Sequence, residues 1–352
     1  MRFSVPAPLH TVLLFVYFTA ALTLGCWGVA CLAPFPEVPQ VTKKLAFYRA
    51  HHQQFDTIFI GSSRTNRQLN PAVFDEVARE HGVESRSFNF GIDGMFAPED
   101  GYVVDQVVAV RPKLKRVVIE LSPFHADVAT RTLGARSAYW RDWKRTQIVF
   151  SQFFDRRLKP LQWSAWQEGL RQRADYWWSF AEYCGLFMQN VANVGRGAAL
   201  VERVLELEKR APKLEAVGDR EDGYNALSRP GGLEGKALRK YEAALAERLG
   251  KDEAKLPLGP GGNANVKEMV GRFRKRGAEV FLVVAPVISR PRAYPKGKRL
   301  PEVFDFTDIQ AWPELFVPEN RYDLGHLNEA GSEIYTRALA ELIFRRPAAE
   351  GK

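Results

Sequence analysis

Asp56-Thr57-Ile58-Phe59-Ile60-Gly61-Ser62-Ser63-Arg64 is the stretch on which the fold turns. A short, nearly unbroken apolar run ends abruptly at a glycine, and a helical pattern begins just beyond. A run of this length and composition reads as a strand buried on both faces. Two further apolar runs behave the same way, and a third alternates polar and apolar residues, as a strand also does. Ser85 to Phe90 ends at Gly91, Arg116 to Leu121 is stopped by Pro123, and Glu279 to Ala285 is stopped by Pro286. Helical patterns lie between them, as at Pro71–Glu80 and Pro98–Val110. Short buried strands alternating with helices predict an α/β domain whose central parallel sheet is covered on both faces, with these four runs as neighbours. Ligands in such sheets bind beyond the carboxyl ends of the strands, which is where Ser62 and Ser63 stand.

Outward from this core, the chain divides into parts. Residues 1–10 form an N-terminal tail. Thr11–Ala33 carries no Asp, Glu, Lys or Arg, and its 23 residues suffice to cross a hydrocarbon core of about 30 Å. It reads as a retained transmembrane anchor, longer than the apolar region of a cleaved signal peptide. Pro34 and Pro36 end it, and residues 34–54 form a linker with a short helix from Val41 to Gln54. The α/β domain takes residues 55–125 and 263–346. Between its halves, 126–262 breaks the strand–helix rhythm and holds Trp140, Trp143, Trp163, Trp166, Trp177 and Trp178, six of the eight tryptophans. It reads as a helical insertion whose tryptophans fill a small core, form a carbohydrate platform or dock on a membrane partner.

Composition narrows the function. Of 352 residues 46% are hydrophobic and 26% charged, a balance of folded chains. The formal charge is +9, but basic and acidic residues interleave, as in Glu202–Lys213, so no basic block marks a nucleic-acid interface. A mildly basic solvated surface, or attraction to anionic lipid or polymer, accounts for the excess. There is no zinc-ligand spacing and no phosphate-binding glycine loop. The three cysteines, Cys26, Cys31 and Cys184, indicate no disulfide framework, and Thr23-Leu24-Gly25 makes a poor lipobox before Cys26.

Three motifs carry chemistry. Gly61-Ser62-Ser63 leaves the first strand. Asn89-Phe90-Gly91-Ile92-Asp93-Gly94 leaves the second. Tyr322-Asp323-Leu324-Gly325-His326-Leu327-Asn328 precedes a last amphipathic helix, Ser332–Phe344. Singly, each has a plain structural reading: a capped turn, a strand-to-helix turn, and a helix start with Asn328 as its cap. In order, and after the expected strands, they fit a Ser-His-Asp arrangement in which the carboxylate orients the imidazole and the imidazole activates the serine.

This set resembles the SGNH/GDSL hydrolase superfamily over about residues 55–125 and 263–345. The resemblance implies a three-layer α/β/α fold, with Ser63 as nucleophile, Ser62 in the place of the family's first-block Asp, and Asp323 and His326 completing a triad. It assigns the oxyanion hole to the backbone N–H groups of Ser63 and Gly94. The chain departs from the family at the third block, where Gly-x-Asn-Asp is replaced by Glu120-Leu121-Ser122-Pro123-Phe124 and the oxyanion asparagine is missing. The anchor and the Gly-Ser-Ser block are similar to those of membrane-anchored SGNH proteins that work beside membrane-bound O-acyltransferases. That likeness implies an acyltransferase or esterase acting on a cell-envelope polysaccharide or related hydroxylated polymer. It implies an acyl donor and a membrane-bound O-acyltransferase as partners, no metal or organic cofactor, and a domain on the extracytoplasmic side of the cytoplasmic membrane. The count of Lys and Arg flanking the anchor, Arg2 against Lys43, Lys44 and Arg49, points to the cytoplasmic side instead. The alternative function is a non-catalytic scaffold that keeps the fold and binds the acyltransferase or the polymer.

Overall fold

The computed structural model describes residues 7–32, 38–95, 99–110, 112–121, 216–250, 256–258, 260–288, 293–295 and 300–345, with short pieces between 144 and 205. The chain forms two compact units, Met1–Val38 with Ala126–Ala211 and Pro39–His125 with Pro212–Lys352.

In the first unit, α1 (Ala7–Leu32) is one continuous helix. Its window Leu9–Val29 has a mean hydropathy of 2.0 and none of it is buried in the protein. It is long and apolar enough to span a membrane, with Phe15, Tyr17, Phe18 and Trp27 all exposed. The hydroxyls of Thr19 and Thr23 bond back to Phe15 O and Thr19 O, so neither demands a partner outside the helix. Residues 166–174 are helical, and Trp166, Trp177 and Trp178 are exposed. Ala33, Pro34, Pro36, Trp140, Trp143, Trp163 and Cys184 lie outside the described residues.

The second unit is built on a five-stranded parallel sheet. Its strands are β1 (Thr57–Gly61), β2 (Ser87–Gly91), β3 (Arg116–Glu120), β4 (Glu279–Val284) and β5 (Val303–Asp305), in the order β2-β1-β3-β4-β5. The four strands expected from the sequence are neighbours and parallel. The short β5 is an addition that three residues between Glu302 and Phe306 did not announce. Helices are α2 (Pro39–His51), α3 (Ser63–Gln68), α4 (Pro71–Glu80), α5 (Asp100–Ala109), α6 (Gly235–Leu249), α7 (Pro260–Arg274) and α8 (Glu329–Phe344).

Every residue of β1 and β2 is buried, which requires cover on both faces. Phe59, Val118, Phe281 and Val283 join one core with Phe74 and Val77 of α4 and Tyr335, Leu339 and Ile343 of α8. Their neighbours Ile58, Ile60, Val117, Ile119 and Leu282 point to the other face and are fully buried. There α5 packs on β1 and α7 on β4. Truncating a core phenylalanine such as Phe59 to Ala would cost about 3–5 kcal/mol. Local signals agree with the layers: α4 starts where Asn70 Oδ1 accepts the Ala72 N–H at 3.1 Å with Pro71 behind it, and it ends before Gly82, whose φ is +71°.

The stretch read as an insertion, 126–262, divides. From residue 212 onward the chain belongs to the α/β unit, and Leu233 and Tyr241 enter the same core as α4 and α8. Tyr241 donates to Phe316 O at 2.7 Å, fixing α6 to the segment before the last motif.

The strand order matters for function. The chain passes from β1 to β2 on one side, then returns to β3 on the other. In open α/β sheets the crevice at such a reversal is where ligands bind. In register, Gly61 pairs with Gly91 and Ile60 with Ile119, so the Ser62-Ser63 turn emerges at that point.

Candidate active site

Ser62 is the N-cap of α3, with extended backbone and its Oγ accepting the Arg64 N–H at 3.2 Å. Its side chain is buried against Glu120, the last residue of β3. Ser62 N donates to Glu120 Oε2 at 2.8 Å, and Ser62 Oγ lies 2.9 Å from Oε1 and 3.0 Å from Oε2. Thr65 Oγ1 donates to Oε2 at 2.8 Å, and Arg64 Nε pairs with Oε1 at 2.8 Å. Burial pushes the Glu120 carboxyl upward, but Arg64, Ser62 and Thr65 outweigh it and hold the group below the usual carboxylate range. This buried carboxylate is thus the anchor of the serine turn. A Cβ on Gly61 would overlap the Thr65 hydroxyl and the Glu120 side chain, and one on Gly91 would overlap the backbone of Asn66. Only glycine at both strand ends lets α3 approach so closely.

Ser63 points the other way. Its Oγ is 2.9 Å from His326 Nε2. His326 Nδ1 is 3.0 Å from both Asp323 oxygens, and Asp323 Oδ1 also accepts the N–H groups of Gly325 at 2.7 Å and His326 at 2.8 Å. Burial pushes Asp323 up, but the His326 ring and these amides prevail and hold it below the usual range. An ionised carboxylate can only accept. Nδ1 therefore carries the ring proton, and Nε2 is free to accept from Ser63. The side chains of Ser63, His326 and Asp323 meet in the geometry of a catalytic triad.

The loop bearing the acid and base is held from below. Arg321, fully buried, donates to Pro286 O at 3.1 Å, Leu315 O at 3.3 Å and Leu324 O at 3.0 Å. Arg321 and Leu327 form an antiparallel bridge across the loop. Asn328 then caps α8 by accepting the Gly331 N–H at 3.0 Å. The capping and chemical readings of this motif therefore coexist.

Gly94 lies on the turn after β2, exposed and with φ of +69°. Ile92 N donates to Gly61 O at 2.9 Å, and Asp93 bonds Asn66 Nδ2 at 2.9 Å and Arg67 Nη2 at 2.6 Å. The turn is thereby tied to α3. The Ser63 N–H stands in the first turn of α3, where the helix offers no internal acceptor. Asn89 is structural: its Nδ2 bonds Thr65 O at 2.7 Å and Leu69 O at 2.6 Å, and its Oδ1 accepts from Gly91 N at 2.8 Å. Ser122, Pro123 and Phe124 lie outside the described residues.

Three residues that sequence reasoning passed over shape this site: Glu120, Arg321 and Lys44 of α2. Glu120 was visible as a lone carboxylate closing an apolar strand. Lys44 was visible as a lysine on the stripe Val41, Lys44, Leu45, Tyr48, all of which are buried. Among the described residues, no group of three or more His, Cys, Asp and Glu is placed to hold a metal ion. Comparison of the chain with protein-family models, with curated proteins and with solved structures finds no match.

Proposed function

We propose that this chain is a membrane-anchored serine acyltransferase or esterase of SGNH type, with a three-layer α/β/α domain, acting on ester groups of a cell-envelope polysaccharide or related polymer. The observation that carries the reading is the 2.9 Å approach of Ser63 Oγ to His326 Nε2, with Asp323 on the far ring nitrogen. In this reaction Ser63 Oγ attacks the acyl carbonyl carbon as Nε2 takes its proton. The oxyanion is met by the N–H groups of Ser63 and Gly94. The tetrahedral species collapses, the leaving alcohol takes the proton from His326, and an acyl-Ser63 ester remains. Water or a sugar hydroxyl then gives its proton to His326 and attacks the ester carbonyl, and the new tetrahedral species collapses as the Ser63 oxygen leaves and takes that proton back from His326. The anchor helix keeps this chemistry at the membrane surface, on the extracytoplasmic side, beside an acyl donor supplied by a membrane-bound O-acyltransferase.

One observation favours a second reading, a binding scaffold without turnover. Glu120-Leu121 stands where an oxyanion-hole asparagine is expected, and Glu120 faces the serine turn. Losing one such donor costs about 10²–10³ in rate. The reading as an enzyme expects a fluorophosphonate probe to form an adduct on Ser63, located by mass spectrometry after proteolysis. Absence of any adduct from the folded chain would favour the scaffold.

A further inference from the structure

Lys44 is fully buried, and among the described residues its hydrogen-bond partners are an amide oxygen and three backbone carbonyls. Its Nζ lies 2.8 Å from Asn66 Oδ1, 3.1 Å from Asn89 O, 2.7 Å from Gly91 O and 2.7 Å from Gly223 O, so that the three N–H bonds of the ammonium are shared among four acceptors. The reason lies in the sheet. β2 is an edge strand, and in a parallel pair alternate residues direct both N–H and C=O to the same side. Ser87, Asn89 and Gly91 face outward. Their amides are satisfied by Asp75 Oδ2, Asp222 O and Asn89 Oδ1. The outward carbonyls of Asn89 and Gly91 are left for Lys44, which supplies the donors that a further strand would have supplied.

These two carbonyls immediately precede the Ile92-Asp93-Gly94 turn. Asn66, the third partner, belongs to α3 three residues after Ser63 and also holds Asp93. One turn earlier in α2, Gln40 Oε1 accepts the Asp93 N–H at 2.9 Å. Helix α2 therefore grips the turn twice, once at its base and once at the residue before Gly94. We infer that Lys44 and Gln40 are positioning residues that fix the Gly94 amide relative to Ser63, so that α2 sets the reactivity of the serine. This rests on the acyl-transfer reading for its effect on rate, but not for its effect on the turn.

The test uses the full chain in detergent micelles, as wild type, Lys44→Met and Gln40→Leu. Hydrogen exchange by mass spectrometry reports residues 92–95 against β1, β3 and β4. Hydrolysis of p-nitrophenyl acetate and fluorophosphonate labelling report Ser63. In both variants, exchange at 92–95 should quicken by about tenfold while the central strands stay protected. kcat should fall by about 100-fold, with KM within about twofold, because a misplaced oxyanion donor is felt in the transition state. Unchanged exchange at 92–95 in folded Lys44→Met overturns the inference, as does a loss confined to KM. If Lys44→Met does not fold, Gln40→Leu decides by the same two readings. A wild-type chain that labels nowhere refutes the acyl chemistry alone, and exchange still decides whether α2 holds the turn.

Discussion

Ser62 Oγ lies 2.9 Å from Glu120 Oε1, so the first of the two adjacent serines is committed to a buried carboxylate and only the second faces His326. The divergence follows from the backbone: successive residues leaving a strand present opposite sides. Ser63→Ala should therefore abolish the fluorophosphonate adduct with little change in melting temperature. Ser62→Ala should retain the adduct but lose about 1–3 kcal/mol of stability, because it removes a cap and a partner of a buried acceptor. Intact-mass analysis and urea unfolding measure the two effects. An adduct on Ser62 would reverse the assignment.

Glu120 organises the turn through its charge. Glu120→Gln keeps the volume but leaves Arg64 without its carboxylate, and breaking a buried pair in this way costs about 3–5 kcal/mol. Its folded pKa lies below the unfolded value, so the wild type gains stability above the unfolded pKa and loses it as pH falls through the folded one. The variant should lack that acid-side loss. Equilibrium unfolding between pH 3 and 7 shows whether the two curves converge at low pH.

Asp323→Asn should leave the fold intact and slow serine labelling by about 10⁴-fold, because an amide can donate to Nδ1 and stabilise the tautomer that cannot take the Ser63 proton. Labelling kinetics give the number. A loss below tenfold would mean that Asp323 serves the loop amides of Gly325 and His326 more than the ring.

Burial pulls the Lys44 pKa from 10.5 down to about 7, against the attraction of Asp93, with the repulsion of Arg67, and against the attraction of Asp222. Between those pH values the unfolded chain binds the extra proton. Stability of the wild type should thus rise with pH from about 7 to 10, relative to Lys44→Met, by at most about 1.4 kcal/mol per pH unit. Below pH 7 the difference should be flat. A slope of opposite sign in denaturant titrations would show that the carbonyl cage holds the proton more tightly in the fold than water does.

β1, β3 and β4 were legible as short runs with apolar centres, the mark of a strand buried on both faces, and β2 by its alternation of Ser87 and Asn89 with Phe88 and Phe90. β5 was not, since Val303–Asp305 buries only Phe304 among its three side chains. Residues 212–250 were assigned to the insertion because α6 is largely polar, with Lys236, Arg239, Lys240, Glu242 and Glu247. Helix α6 is attached by Tyr241, with Leu238, Ala244 and Leu245 beside it, and by the buried Arg248, which donates to the carbonyls of Val287, Ile288 and Thr307, a charged residue whose partners lie far along the chain. Ser63, Asp323 and His326 were legible as motifs, while the groups that hold them in place were not. Glu120, Lys44 and Arg321 are charged residues whose meaning depends on partners distant in sequence. Lys44, one of the basic residues that follow the anchor, is fully buried in the domain, and the remaining pair, Lys43 and Arg49, still outnumber Arg2.

The Lys44–Gly223 bond joins positions 179 residues apart, while the other three acceptors lie within 47 residues of the lysine. A growing chain makes α2, β1, β2 and α3 long before residue 223 is synthesised. Until then the ammonium stays open to water and the edge of β2 lacks its last cover. The serine turn can form early, but the cage around the lysine closes only after the intervening segment has been made. Ribosome-bound chains halted before residue 223 should therefore contain the strands of the site without its finished shape, and reactivity should appear late in biogenesis.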